Sequence, residues 1–147
     1  MERFAADLTE GGMQRMASRV FACLLASESG ALSSKELAER LQVSPAAISG
    51  AVRYLSQVRM VSRERTPGSR RDLYRVHPDI WYEAFTDRDR MLDRWADTLA
   101  AGAEALGTDT PAGRRLEETR DFFQFMQGEL AELLDRWRKH RAERYGE

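Results

Sequence analysis

Two helix-start signals in quick succession, at Ser33 and Ser44, constrain this chain more than any other feature. Ser33 with Glu36 three residues on is a capping box, in which a hydroxyl satisfies an orphan N–H of the first helical turn. The helix it opens, over residues 34–41, has Leu37, Ala38 and Leu41 as its apolar face. After Gln42-Val43, Ser44 is a second N-cap, and Pro45 stands at the first helical position, where its missing N–H is harmless. This second helix is predicted to reach about Gln57 and to bury Ile48, Val52 and Leu55, spaced four and three apart. Two short helices separated by a tight turn are therefore written into residues 33–57.

The flanks complete a pattern. Upstream, Met16, Val20, Phe21, Leu24 and Leu25 make a helical stripe within residues 12–28, stopped by Ser29-Gly30, and Ala31-Leu32 is short enough for a one-bridge strand. Downstream the period changes to two. Residues 60–65 and 72–76 read as strands around Thr66-Pro67-Gly68-Ser69, a hairpin with an arginine-loaded tip. His77-Pro78-Asp79 is a break and restart, with Asp79 as N-cap. Beyond it Trp81, Phe85, Leu92, Trp95, Leu99 and Leu106 share one face of a helix roughly 27 residues and about 40 Å long. Between residues 87 and 94 the other face alternates Asp and Arg, an ordinary solvated surface. A last helix over about residues 112–144 repeats Leu116, Phe123, Leu130 and Trp137 every seven residues, with Met126 and Leu133 beside them and Phe122 and Leu134 widening the stripe. Two antiparallel helices with such stripes need more apolar cover than they give each other.

A net charge of −1 taken alone speaks against a polyanionic partner, but the charges are segregated. Residues 1–78 hold 12 Lys+Arg against 8 Asp+Glu, and residues 79–147 hold 11 against 16. Arginine supplies nearly all the positive charge, Lys35 and Lys139 being the two lysines. One cysteine, Cys23, excludes an intrachain disulfide and a cysteine-based zinc site, and its apolar helical surroundings read as a buried, inert thiol. His77 and His140 have no metal-ligand spacing; the first reads as a junction residue and the second as part of a basic helix end with Arg136, Arg138, Lys139 and Arg141. Neither a signal peptide nor a membrane span is legible, so the expected location is the cytoplasm, with no membrane partner. With no phosphate loop, nucleophile elbow or acid pair, no enzymatic chemistry and no cofactor are expected.

Helix, short strand, helix, turn, helix and hairpin, in that order, form a winged helix-turn-helix, so the expected fold is mainly α, α+β in the winged lobe. In such a lobe the second helix of the pair enters the major groove of double-stranded DNA. Its face away from Ile48, Val52 and Leu55 carries Pro45, Ala46, Ser49, Gly50 and Arg53, small or hydrogen-bonding residues with one arginine able to take guanine or phosphate. Ser33, Ser34, Lys35 and Ser44 stand where helix N-termini and hydroxyls hold phosphates. Between Arg53 and Arg75 seven arginines face only Glu64 and Asp72. Arg63, Arg65, Ser69, Arg70 and Arg71 of the hairpin are the candidate wing contacts, with Arg70 and Arg71 suited to a minor groove and Asp72 placed to orient one of these two guanidinium groups. The plainer alternative is a solvated hairpin whose charges guard its edges.

The run Gly12-Met13-Gln14-Arg15-Met16-Ala17-Ser18-Arg19-Val20-Phe21, the segment Leu32-Ser33-Ser34-Lys35-Glu36-Leu37-Ala38-Glu39, the turn Val43-Ser44-Pro45-Ala46-Ala47-Ile48-Ser49, and Gly68-Ser69-Arg70-Arg71 with Tyr74 resemble the GbsR-like branch of the MarR superfamily of transcriptional regulators. The resemblance is close over residues 12–78 and one of layout beyond them. It implies a homodimer with intertwined terminal helices, its two wings reading a palindromic operator, most simply as a repressor. Residues 1–11 would then be an N-terminal dimerisation helix, 12–78 the DNA-binding lobe and 79–147 a dimerisation bundle. Phe4, Leu8, Leu116, Phe123, Leu130, Leu133 and Trp137 are the candidate interface. The resemblance also implies a small-molecule effector between lobe and bundle. Trp81, Phe85, Met91, Trp95, Phe122 and Met126 would line its pocket and suit an apolar or cationic ligand, unless these residues are simply core. A rival reading keeps the winged fold but docks a protein partner on the acidic helices.

Overall fold

The computed structural model describes residues 1–65 and 67–146, with Asp87 described by its backbone alone; Thr66 of the expected turn lies outside the described residues. The elements are α1 (Glu2–Glu10), α2 (Arg15–Ala26), β1 (Ala31–Ser33), α3 (Ser34–Leu41), α4 (Pro45–Gln57), β2 (Ser62–Arg65), β3 (Asp72–Arg75), α5 (Ile80–Leu106) and α6 (Pro111–Tyr145). The strands form one antiparallel sheet in the order β1-β3-β2, so this mostly helical chain has the winged-helix fold. Two compact units divide it, residues 1–84 and 85–147, the division falling inside α5.

In the first unit a single core gathers Val20, Phe21 and Leu24 of α2, Leu32 of β1, Leu37 of α3, and Ile48, Val52 and Leu55 of α4. Phe21, Leu24, Leu37, Ile48 and Leu55 are fully buried. Trp81, at the start of α5, meets Phe21 edge-on with ring centroids 5.5 Å apart. Leu25, expected in the α2 stripe, is instead 42% exposed, because the core-facing arc of α2 is already filled by Val20, Phe21 and Leu24. Phe4 and Leu8 of α1 are half-buried against this same core, so their own lobe takes part of the apolar surface expected to serve a dimer.

Helix ends depart most from the periodicity. Three helices, α1, α3 and α4, stop in the same hydrogen-bonded motif, with the amide just after a left-handed residue returning to the carbonyl five residues back: Met13 to Leu8, Val43 to Ala38 and Met60 to Leu55. Each motif needs a left-handed residue. Gly12 supplies one without strain, whereas Gln42 (φ 53°) and Arg59 (φ 58°) carry side chains into that region. The motif at Arg59 turns Met60 and Val61 into the core, and β2 therefore begins at Ser62 and not at residue 60.

In the second unit Leu92, Ala96 and Ala103 of α5 are buried, while among the described residues of α6 only Gly113 is. Trp95 and Phe123 stack at 5.6 Å, and the Gln127 amide donates to the Asp89 carbonyl and to the carboxylates of Asp89 and Asp93, at 2.9–3.0 Å. Gly113 closes the α5–α6 turn so tightly that a Cβ there would lie 2.0 Å from the Gly107 carbonyl oxygen.

Candidate nucleic-acid interface

Local cap chemistry positions the helix pair. The Ser33 hydroxyl accepts the Glu36 N–H at 3.2 Å and donates to the Glu36 carboxylate at 3.3 Å. Ser33 is 3% exposed, so its hydroxyl belongs to the cap and is not open to a phosphate as the sequence suggested. Ser34 is half-buried and Lys35 exposed in the first turn of α3. At the start of α4 the Ser44 hydroxyl accepts the Ala47 N–H at 3.2 Å and remains exposed. The turn between the helices is held from outside by Arg19 of α2, whose guanidinium donates to the Leu41 carbonyl at 3.1 Å. Arg19 is a positioning residue that sequence reading passed over, since its partner lies 22 positions away.

With Ile48, Ala51, Val52 and Leu55 turned inward, Ser44, Pro45, Ala46, Ser49, Gly50 and Arg53 all lie exposed on α4. A Cβ at Gly50 would meet nothing within 4 Å. This surface is a low relief of backbone and hydroxyls with a guanidinium at its end, able to approach the edges of base pairs closely.

The hairpin register pairs Arg63 with Tyr74, Glu64 with Leu73 and Arg65 with Asp72. Side chains two positions apart across the strands then meet. Arg75 donates to Glu64 at 2.9 Å, and Arg63 places its Nε 2.8 Å from Asp72 Oδ2 with a terminal nitrogen on the same oxygen. Arg65 Nε lies 3.6 Å from Asp72 Oδ1. The Asp72 carboxylate, through its hydrogen bond and its charge, pushes the Arg63 guanidinium further above its usual value. Asp72 thus engages Arg63 and Arg65, correcting the expectation that it orients Arg70 or Arg71; the cross-strand register sets the partner, not sequence adjacency.

Arg70 and Arg71 stand exposed beside the tip, and neither forms an ion pair among the described residues. The Ser69 hydroxyl accepts the Arg71 N–H at 3.1 Å and so fixes the backbone that carries this arginine. At the base of the wing, Ser62 is hydrogen-bonded to the His77 ring, giving the expected junction residue a definite anchor.

The aromatic and methionine side chains nominated for an effector are distributed over both units. In the second unit Phe85, Trp95, Phe122 and Met126 are exposed, and Met91 is half-buried. The Phe85 ring already has the Arg88 guanidinium 5.6 Å over it. No described helix is long and apolar enough to cross a membrane, and no metal-binding cluster is present among the described residues.

Two family descriptions match successive parts of the chain. Residues 11–72 match a MarR family model, and residues 79–140 match that of MmpR5-like MarR family transcriptional regulators. The HTH-type transcriptional regulator MmpR5 of Mycobacterium tuberculosis (strain ATCC 25618 / H37Rv) is 29% identical over 144 residues, which span 97% of this chain and 87% of the relative. A crystal structure of a transcriptional regulator superposes with a TM-score of 0.83 at 29% identity, covering 94% of this chain and 95% of that one. TrmBL2, an archaeal chromatin protein, shares the fold at a TM-score of 0.55 and 16% identity, over 75% of this chain and 44% of its own.

Proposed function

We propose that this chain, which belongs to the MarR family of winged-helix, DNA-binding transcriptional regulators and is not an enzyme, acts in the cytoplasm as a homodimeric repressor on a palindromic operator. The observation that carries the reading is one lobe offering two complementary surfaces, the low-relief face of α4 and, on the wing, Arg70 and Arg71, exposed and without an ion pair among the described residues. Ser49 and Arg53 read the major groove. Ser34, Lys35 and Ser44 hold phosphates at the helix starts, Pro45 and Ala46 permit close approach, and Arg70 and Arg71, set by Ser69, enter the neighbouring minor groove. Two copies are required because one short recognition helix makes too little contact for specific affinity. Within the family, placement in the GbsR-like branch rests on the motif run of the lobe, whereas the relative and the C-terminal match are MmpR5-like. A small apolar or cationic effector would release DNA, and in the second unit Phe85, Met91, Trp95, Phe122 and Met126 offer aromatic and thioether chemistry that supports such a role.

Fluorescence anisotropy with duplexes from the upstream intergenic DNA tests the reading. Binding should weaken steeply with salt, and Arg70→Ala with Arg71→Ala should flatten the slope of log K against log salt by about 2. An unchanged slope in that double variant would sink the minor-groove assignment, and failure to bind any duplex would favour a protein-docking module.

A further inference from the structure

Arg63 and Arg65 are built like a phosphate clamp that is already occupied. Two nitrogens of Arg63 converge on Asp72 Oδ2 while Arg65 approaches Oδ1, so one oxyanion draws two guanidinium groups, as a DNA phosphate would. The carboxylate is the sheltered partner: the Asp72 side chain is 19% exposed, against 60% for Arg63 and 79% for Arg65. Its Oδ1 is buried and has no hydrogen bond among the described residues. Moving either arginine to a phosphate would therefore take a cation from a mostly covered carboxylate for which water cannot fully compensate. Arg70 and Arg71, two and one residues before Asp72, bear no such restraint among the described residues.

We infer that Asp72 is a built-in phosphate surrogate, a positioning residue that withholds Arg63 and Arg65 from the DNA backbone and leaves the wing tip to act through Arg70 and Arg71. Its consequence is a lower sequence-independent affinity, so that discrimination falls to the α4 face. This rests on the DNA-binding reading above, and the ligand it governs is the phosphodiester backbone of any duplex.

The test is the salt dependence of anisotropy with a mixed-sequence duplex that lacks an operator. Asp72→Asn, isosteric and uncharged, should tighten binding and steepen the slope by about 1 to 2, as one or two further phosphates are neutralised. Arg63→Gln with Arg65→Gln should change the wild-type slope by about 0.5 or less, and adding the pair to Asp72→Asn should return the slope to wild type. A purely structural role for Asp72 would weaken binding without steepening the slope. That outcome, or a flattening by Arg63→Gln with Arg65→Gln as large as that from the Arg70 and Arg71 double variant, would overturn the inference. If Asp72→Asn loosens the wing, the arginine pair decides by itself. A wild-type chain that binds no duplex at all overturns the DNA reading first, a result distinct from a bound complex with an unmoved slope.

Discussion

Three residues carry consequences out of proportion to their size. Gly50 sits in a helix interior, where glycine is about 1 kcal/mol worse than alanine, yet nothing in the chain needs its missing Cβ. Gly50→Ala is therefore expected to stabilise the lobe by about 0.5–1 kcal/mol in urea melts while weakening duplex binding. A gain in both would show that this helix face does not approach DNA. Gly113 is the opposite case, since its Cβ would collide with the Gly107 carbonyl, and Gly113→Ala should destabilise the chain by about 1–3 kcal/mol in the same melts. Cys23 is half-buried, where the sequence suggested a buried thiol. Burial pushes its thiol up, with Arg40 pulling less strongly the other way, so the folded state holds the proton more tightly than the unfolded chain. The associated stability is present below the unfolded-state value and lost as pH rises through the raised one. Stability measured across the alkaline range should fall more steeply for wild type than for Cys23→Ala, and native Cys23 should alkylate more slowly at mildly alkaline pH than the denatured chain.

At the scale of elements, what was legible was what is locally determined. Ser33 with Glu36 and Ser44 with Pro45 place α3 and α4 as the sequence predicts, because a cap is a hydrogen bond between neighbours three residues apart. The arrest of α4 at Arg59 was hidden, for a left-handed arginine leaves no mark in a periodicity of apolar residues. So was the pairing of Asp72, which exists only once the hairpin register sets Arg63 and Arg65 across from it. Cap chemistry also has a measurable share in the reading head. Ser44→Ala removes the acceptor for the Ala47 N–H and should lower stability by about 1 kcal/mol, with fraying confined to the first turn of α4 in amide hydrogen exchange. Protection lost along all of α4 would mean that the cap holds more than its own turn.

For the whole molecule the telling element is α6, 35 residues long with Gly113 its only buried described residue. Phe122, Leu133 and Trp137 are 59%, 52% and 40% exposed, and Leu116, Phe123 and Leu130 are half-buried. Seven-residue spacing announces this stripe in the sequence, and on the proposed homodimer a second molecule would cover it. On the proposed homodimer, sedimentation should give about twice 16.8 kDa, the melting temperature should rise with protein concentration, and Leu130→Asp should abolish both effects. A wild-type monomer at micromolar concentration would remove the palindrome from the proposal. On that homodimer, a helix kept in order by its twin would also tie supply to function. When copies were scarce, chains would spend more time unpaired and open to proteases, so regulation would switch on at a threshold of abundance and not in proportion to synthesis.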